Sequence, residues 1–194
     1  MDAHELALAY ALSSVAGLRA TLTVLALTIA VHAHVLAAPS DVAWLRSDTT
    51  LWIAATVALC DVLGDKVPLL DHALHAVHTA LAPVAGSVAV LAVDPTHATN
   101  LTTLVLLATL GGANALGLHG LRAMTRAAST SMSFGSFNPV LSVAGDVVAG
   151  AALAGSFLAP VATAGVVLAF TFVALLAARR ILTAVRRRRA TYAR

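Results

Sequence analysis

The sequence predicts an all-α integral membrane protein, a bundle of about six transmembrane helices. Three observations lead there. Of 194 residues, 59% are hydrophobic and 11% charged, with a mean hydropathy of +0.89. Soluble globular domains carry roughly a quarter charged residues. Long apolar runs recur at about the 20 residues needed to cross a hydrocarbon core. None of them alternates with the period of two that a membrane barrel requires. Backbone polar groups in lipid must be paired within the structure, so the runs read as helices.

The first run covers 6–31 and is interrupted only by Arg19. A polar stretch with Pro39, Asp41, Arg46 and Asp48 follows. The second run, 50–64, holds Asp61 and ends at Asp65-Lys66. Pro68 breaks or restarts the helix, and a third run follows over 69–93. Its first half carries Asp71, His72, His75 and His78, and its second half, after Pro83, is apolar. The histidines and Pro83 make it the least regular span, compatible with a helix that only dips into the membrane. Asp94-Pro95 signals a turn. The fourth run covers 98–118 and leads to His119, Arg122 and Arg126; residues 127–138, rich in Ser and Thr, read as a loop. Asn138-Pro139 reads as a helix start, with Asn as cap and Pro in the first turn. The fifth run, 140–158, holds Asp146, and Pro160 begins the sixth, which lasts to Ala178. Residues 1–178 thus form one transmembrane domain, and 179–194 form a basic tail.

The net charge of +3 is unevenly placed, because seven of the twelve Lys and Arg residues lie in that tail. With both termini in the cytoplasm, the inside segments hold Lys66, Arg122, Arg126 and the tail arginines, and the outside segments hold only Arg46. This satisfies the positive-inside rule. The expectation is a multi-pass protein of a cytoplasmic (inner) membrane, its tail against anionic lipid headgroups. The adjoining span accounts for the basic run, so no nucleic-acid partner is expected. The acidic start, Asp2 to Glu5, is unlike a secretory leader, and the first span reads as retained. Cys60 is the single cysteine and reads as a small packing residue.

Charged groups inside spans cost roughly 3 kcal/mol each on insertion scales and usually face the protein interior in pairs. Arg19 sits mid-span. Asp61 and Asp65, four apart, share a helix face, and Asp146 lies about two turns inside the fifth run. These are natural partners by sign. Two carboxylates against one deep arginine leave either a spare acid or a bound cation. An ion pair that merely fixes helix register is the structural alternative. Asp71, His75 and His78 share a stripe at spacings of four and three, which would suit a divalent metal, with His72 off it. Amphipathic filling at an interface is the preferred reading of those histidines, and no metal or other cofactor is expected. Asn114, an amide in lipid, needs partners in this cluster or on a neighbouring helix. Gly111-Gly112, Gly117, Gly145, Gly150 and Gly155 permit close backbone approach. Gly17-Leu18-Arg19-Ala20 recurs as Gly120-Leu121-Arg122-Ala123, and Gly64-Asp65 as Gly145-Asp146. Two inverted three-helix halves fit these matches without being required by them.

Several of these segments together resemble a known family. Ser13-Ser14-Val15-Ala16-Gly17-Leu18-Arg19-Ala20 is similar to the S-x-x-G-L-R-A element of the DUF4126 membrane proteins. Asp61 to Asp71 resembles their acidic-x-x-x-D-K-[IV]-P-x-x-D segment. Pro83-Val84-Ala85-Gly86 matches the following P-x-A-G, and Asn138-Pro139 with Ser142 and Asp146 resembles N-P-x-x-S-x-x-E-D. Asp61 stands in place of Glu, and Gly145 in place of an acid. The resemblance implies a helical membrane fold and gives weight to Arg19, Asp65, Lys66, Asp71, Asn138 and Asp146 as a set. It implies no activity.

The functional expectation is a transport protein moving a small ion or polar solute. Arg19, Asp61, Asp65 and Asp146 form its central cluster, with Lys66, Asp71 and Asn138 at a cytoplasmic mouth, and a second copy of the chain is a further expected partner. The alternatives are a membrane-embedded enzyme acting on lipid, built from Asp65, Asp71, His75, His78 and His119, and an assembly subunit whose charges only hold helices together. No H-E-x-x-H or G-x-S-x-G motif supports the enzyme.

Overall fold

The computed structural model describes residues 1–64, 68–93, 100–133 and 136–192; within these ranges the side chains of 68–75, 132–133, 138–139, 178, 181–182 and 184–192 lie outside the description. Among the described residues there is no strand. The helices are α1 (Ala3–Leu18), α2 (Ala20–His32), α3 (Asp48–Gly64), α4 (Pro68–Val93), α5 (Leu101–Ser133), α6 (Asn138–Leu158) and α7 (Pro160–Tyr192), with a 3-10 segment at Ser40–Arg46 between α2 and α3. Among the described residues, four stretches are long and apolar enough to cross a membrane: Ala76–Val93, Leu101–Ser131, Val140–Leu158 and Pro160–Ala177. The chain is a multi-pass helical membrane protein.

Helix α1 is the hub. Its residues from Leu8 to Gly17 are buried, Tyr10 excepted, and it packs on α4, α5, α6 and α7. A capping box starts it: Asp2 accepts from the Glu5 N–H and Glu5 accepts from the Asp2 N–H, both at 2.8 Å, which satisfies two otherwise orphaned donors. Helix α5 starts similarly, with Asn100 Oδ1 accepting from the Thr102 N–H at 2.9 Å. The α4–α5 contact is the most extensive in the bundle. A Cβ added at Gly86 or Gly111 would collide with the other helix's backbone carbonyl, so these glycines permit the approach.

The structure adds to or departs from the sequence reading at six places. The first apolar run is two helices, broken at Arg19 (φ −148°, ψ 85°). At 1.5 Å per residue they are about 24 and 20 Å long, each too short to span alone. Pro83 does not interrupt α4, which is one helix over 26 residues. Ser87 Oγ lies 2.9 Å from Pro83 O and 2.6 Å from Ala108 O of α5, which ties this part of α4 to its neighbour. Helix α5 continues through the stretch read as a loop, to Ser133. Phe137, not Asn138, occupies the cap of α6, with Pro139 in the first turn as expected. The basic tail continues α7 as helix to Tyr192. Cys60, expected to pack, is exposed on the outside of α3.

Candidate functional site

The site begins with the break between α1 and α2. Two half-helix ends meet there with no proline, so long-range contacts must satisfy the freed backbone groups. Arg122 of α5 donates to the Leu18 carbonyl at the end of α1. Thr23 donates to the Arg19 carbonyl through both its N–H (3.1 Å) and its hydroxyl (3.0 Å). A cation thus stands at the C-terminal end of α1 and an anion, Asp61, at the N-terminal end of α2, the arrangement favoured by both helix dipoles.

Arg19 projects from the break and is 1% exposed. Its guanidinium reaches two other helices. Nη1 donates to Asp61 Oδ2 of α3 at 3.4 Å, and Nη2 pairs with Asp146 of α6 and donates to Ser142 Oγ at 3.3 Å. Asp61 is 2% exposed. Its Oδ2 also accepts from the Thr21 hydroxyl at 2.6 Å, and its Oδ1 lies 2.7 Å from His78 Nε2 of α4. Asp146 is 18% exposed and is the member of the group that reaches the surface. The result is a continuous chain, Asp146–Arg19–Asp61–His78, with Thr21 and Ser142 as neutral supports. Its fixed charges are one cation and two anions. The surplus acid that the sequence leaves open is thus met by the His78 imidazole and the Thr21 hydroxyl.

The expected site residues fall into three groups. Arg19, Asp61 and Asp146 meet. Asn114 belongs to a different cluster, donating to Ser13 and Ser14 Oγ at 2.8 Å each, and so ties α5 to α1. Asp65 and Lys66 lie outside the described residues, as do the side chains of Asp71, His75 and Asn138. His78, read as one member of a metal stripe, turns instead toward Asp61. Among the described residues no group of three His, Cys, Asp or Glu side chains could hold a metal. His119 is buried and bonds Thr79 of α4 at 3.2 Å.

Thr21 and the pairing role of His78 are not legible in the local sequence. Thr21 lies two residues past Arg19, which in an unbroken helix would aim it away from the arginine. The break brings both to one carboxylate. The Gly-Leu-Arg-Ala pair also separates here, since Arg19 sits at a helix break and Arg122 within continuous α5.

No curated protein and no solved structure matches the chain. The sequence model of one family does, over residues 6–180. The chain therefore belongs to DUF4126, a family described as a domain of unknown function.

Proposed function

We propose that the chain is a transport protein that moves a small ion or polar solute through the site around Arg19. One observation carries the reading: a guanidinium buried at the break of a discontinuous helix, held between carboxylates from two other helices. Discontinuous helices with charged groups at the break are the recurring device for binding polar solutes at the bilayer midplane. Ionisable groups inside a membrane are expensive and by default mark ion or solute paths.

The proposed mechanism is alternating access. Arg19 grips α3 through Asp61 and α6 through Asp146. A proton taken up by Asp61, or a cation bound between the carboxylates, weakens one of those grips. A solute anion competing for Arg19 does the same. Helix α6 then moves relative to α1, and Asp146, the partly exposed member, admits water. In this proposal the bundle has six spans, with α1 and α2 together forming the first. Both termini face the cytoplasm of an inner membrane, and the α7 arginines rest on anionic headgroups. Asp65, Lys66, Asp71 and Asn138 form the cytoplasmic mouth, and a second copy of the chain completes the assembly.

The same contacts also join α1, α2, α3, α4 and α6, which favours the assembly reading as the second possibility. The lipid-enzyme reading is weaker, because His78 and His119 turn inward to Asp61 and Thr79. The deciding experiment is flux in liposomes carrying pH-, cation- and anion-sensitive dyes. Wild type is compared with folded Asp61→Asn and Arg19→Gln. Flux above protein-free liposomes, lost in both variants, supports transport. Flux absent for every ion class, with all three proteins folded, moves the weight to assembly.

A further inference from the structure

A second feature lies beside the charged site and is independent of it in chemistry. An open cavity of about 200 Å³ runs between α2, α3 and α4. Val24, Ile53, Val57, Leu81 and Val84 supply apolar walls, with Ala54 and Ala85 as the floor. Trp44 and Thr50 stand at one end and Thr21 at the other. Ile53, Val57 and Val84 are exposed, so the cavity opens sideways toward the surrounding lipid.

We propose that this groove holds a single acyl chain of a membrane lipid from the leaflet on the Trp44 side. Length and chemistry agree on that occupant. From Thr50 to Val57 the groove follows seven residues of helix, about 10 Å, within the roughly 15 Å hydrocarbon depth of one leaflet. Trp44 marks the interfacial end, where the amphipathic indole is favoured. The lining is almost wholly carbon, and apolar cavities of this kind stay dry.

The groove ends on Thr21, whose hydroxyl bonds Asp61. A seated chain therefore covers the Thr21 side of the cluster, and the lipid becomes part of the wall around the buried charges.

The test reconstitutes the full chain in bilayers containing phosphatidylcholine with a diazirine in one acyl chain. After illumination, adducts are mapped by mass spectrometry. Adducts at Ile53, Val57, Leu81 and Val84 are expected to exceed severalfold those at Val166 and Val173, which are lipid-facing positions on α7 (70% and 62% exposed). Ala54→Trp, and Ile53→Trp from the rim, fill the groove and should bring the remaining positions down to the α7 level. Equal labelling of groove and α7 in wild type overturns the proposal even if neither variant folds. Enrichment that survives a folded groove-filling variant also overturns it, as does disulfide dimerisation of Ile53→Cys in place of lipid labelling. The readout is independent of solute flux, so the proposal and the transport reading fail separately.

Discussion

Arg19→Gln removes the guanidinium and leaves Asp61 and Asp146 without their shared cation. At 3.4 Å and an effective dielectric of about 20, the Arg19–Asp61 attraction alone is about 5 kcal/mol. Part of that offsets the desolvation of both groups, and removing one partner of a buried pair typically costs about 3–5 kcal/mol. Two features move the expectation to the lower end of the range. Asp146, at 18% exposure, can recover some hydration, and Asp61 keeps Thr21 and His78. The expected loss is about 3 kcal/mol. Asp61→Asn behaves differently. It leaves the Arg19–Asp146 pair intact, and the amide oxygen still accepts from Thr21, so the expected loss is about 1–2 kcal/mol. Unfolding of purified protein in mixed micelles by increasing dodecyl sulfate, followed by far-UV circular dichroism, reads both values. The reasoning is refuted if Arg19→Gln lies within about 1 kcal/mol of wild type, or if Asp61→Asn is the more damaging change.

Two further outcomes follow from the same geometry. Gly86→Val drives a side chain into the Gly111 carbonyl of α5 and should cost about 1–3 kcal/mol as the helices separate; the same unfolding assay reads it, and Gly117→Val, whose added Cβ meets nothing within 4 Å, serves as control. His78→Ala removes one buried hydrogen bond to Asp61 and should cost about 1–2 kcal/mol in the same unfolding assay. His32→Ala, at the other end of α2, loses an exposed contact to Asp48 and should cost less.

The membrane class and the charged candidates are legible because both rest on cost. Apolar runs of span length have few other uses, and Arg19, Asp61 and Asp146 stand out because lipid penalises each of them. What the sequence hides is non-local. The break at Arg19 has no proline to announce it, and the local pattern favours an unbroken helix. It is satisfied by Arg122, 104 residues away from Leu18. His78 looks like part of a stripe with Asp71 and His75, since spacing along one helix is the visible relation. Its partner lies 17 residues earlier, on another helix. The end of α5 is obscured for a different reason: Ser and Thr at 129–133 suggest a loop, yet the helix runs on through them from Ala127 and Ala128. Asn114 needs a partner in lipid, and only the packing of α5 on α1 shows that Ser13 and Ser14 provide it.

The central claim is that the Arg19 cluster opens to water during the protein's working cycle. Ser142, 1% exposed and bonded to Arg19, is the position to probe, because its accessibility can be read without knowing the solute. Ser142→Cys is placed in a Cys60→Ala background and reconstituted in liposomes. A membrane-impermeant methanethiosulfonate reagent is then applied to each side in turn, with Asp48→Cys, whose parent side chain is 89% exposed, as the reference. The account predicts that the cysteine at 142 is modified from at least one side, more slowly than the reference. A cysteine at 142 that stays unmodified from both sides while the reference reacts fully would contradict it and leave the cluster as a sealed clamp between helices.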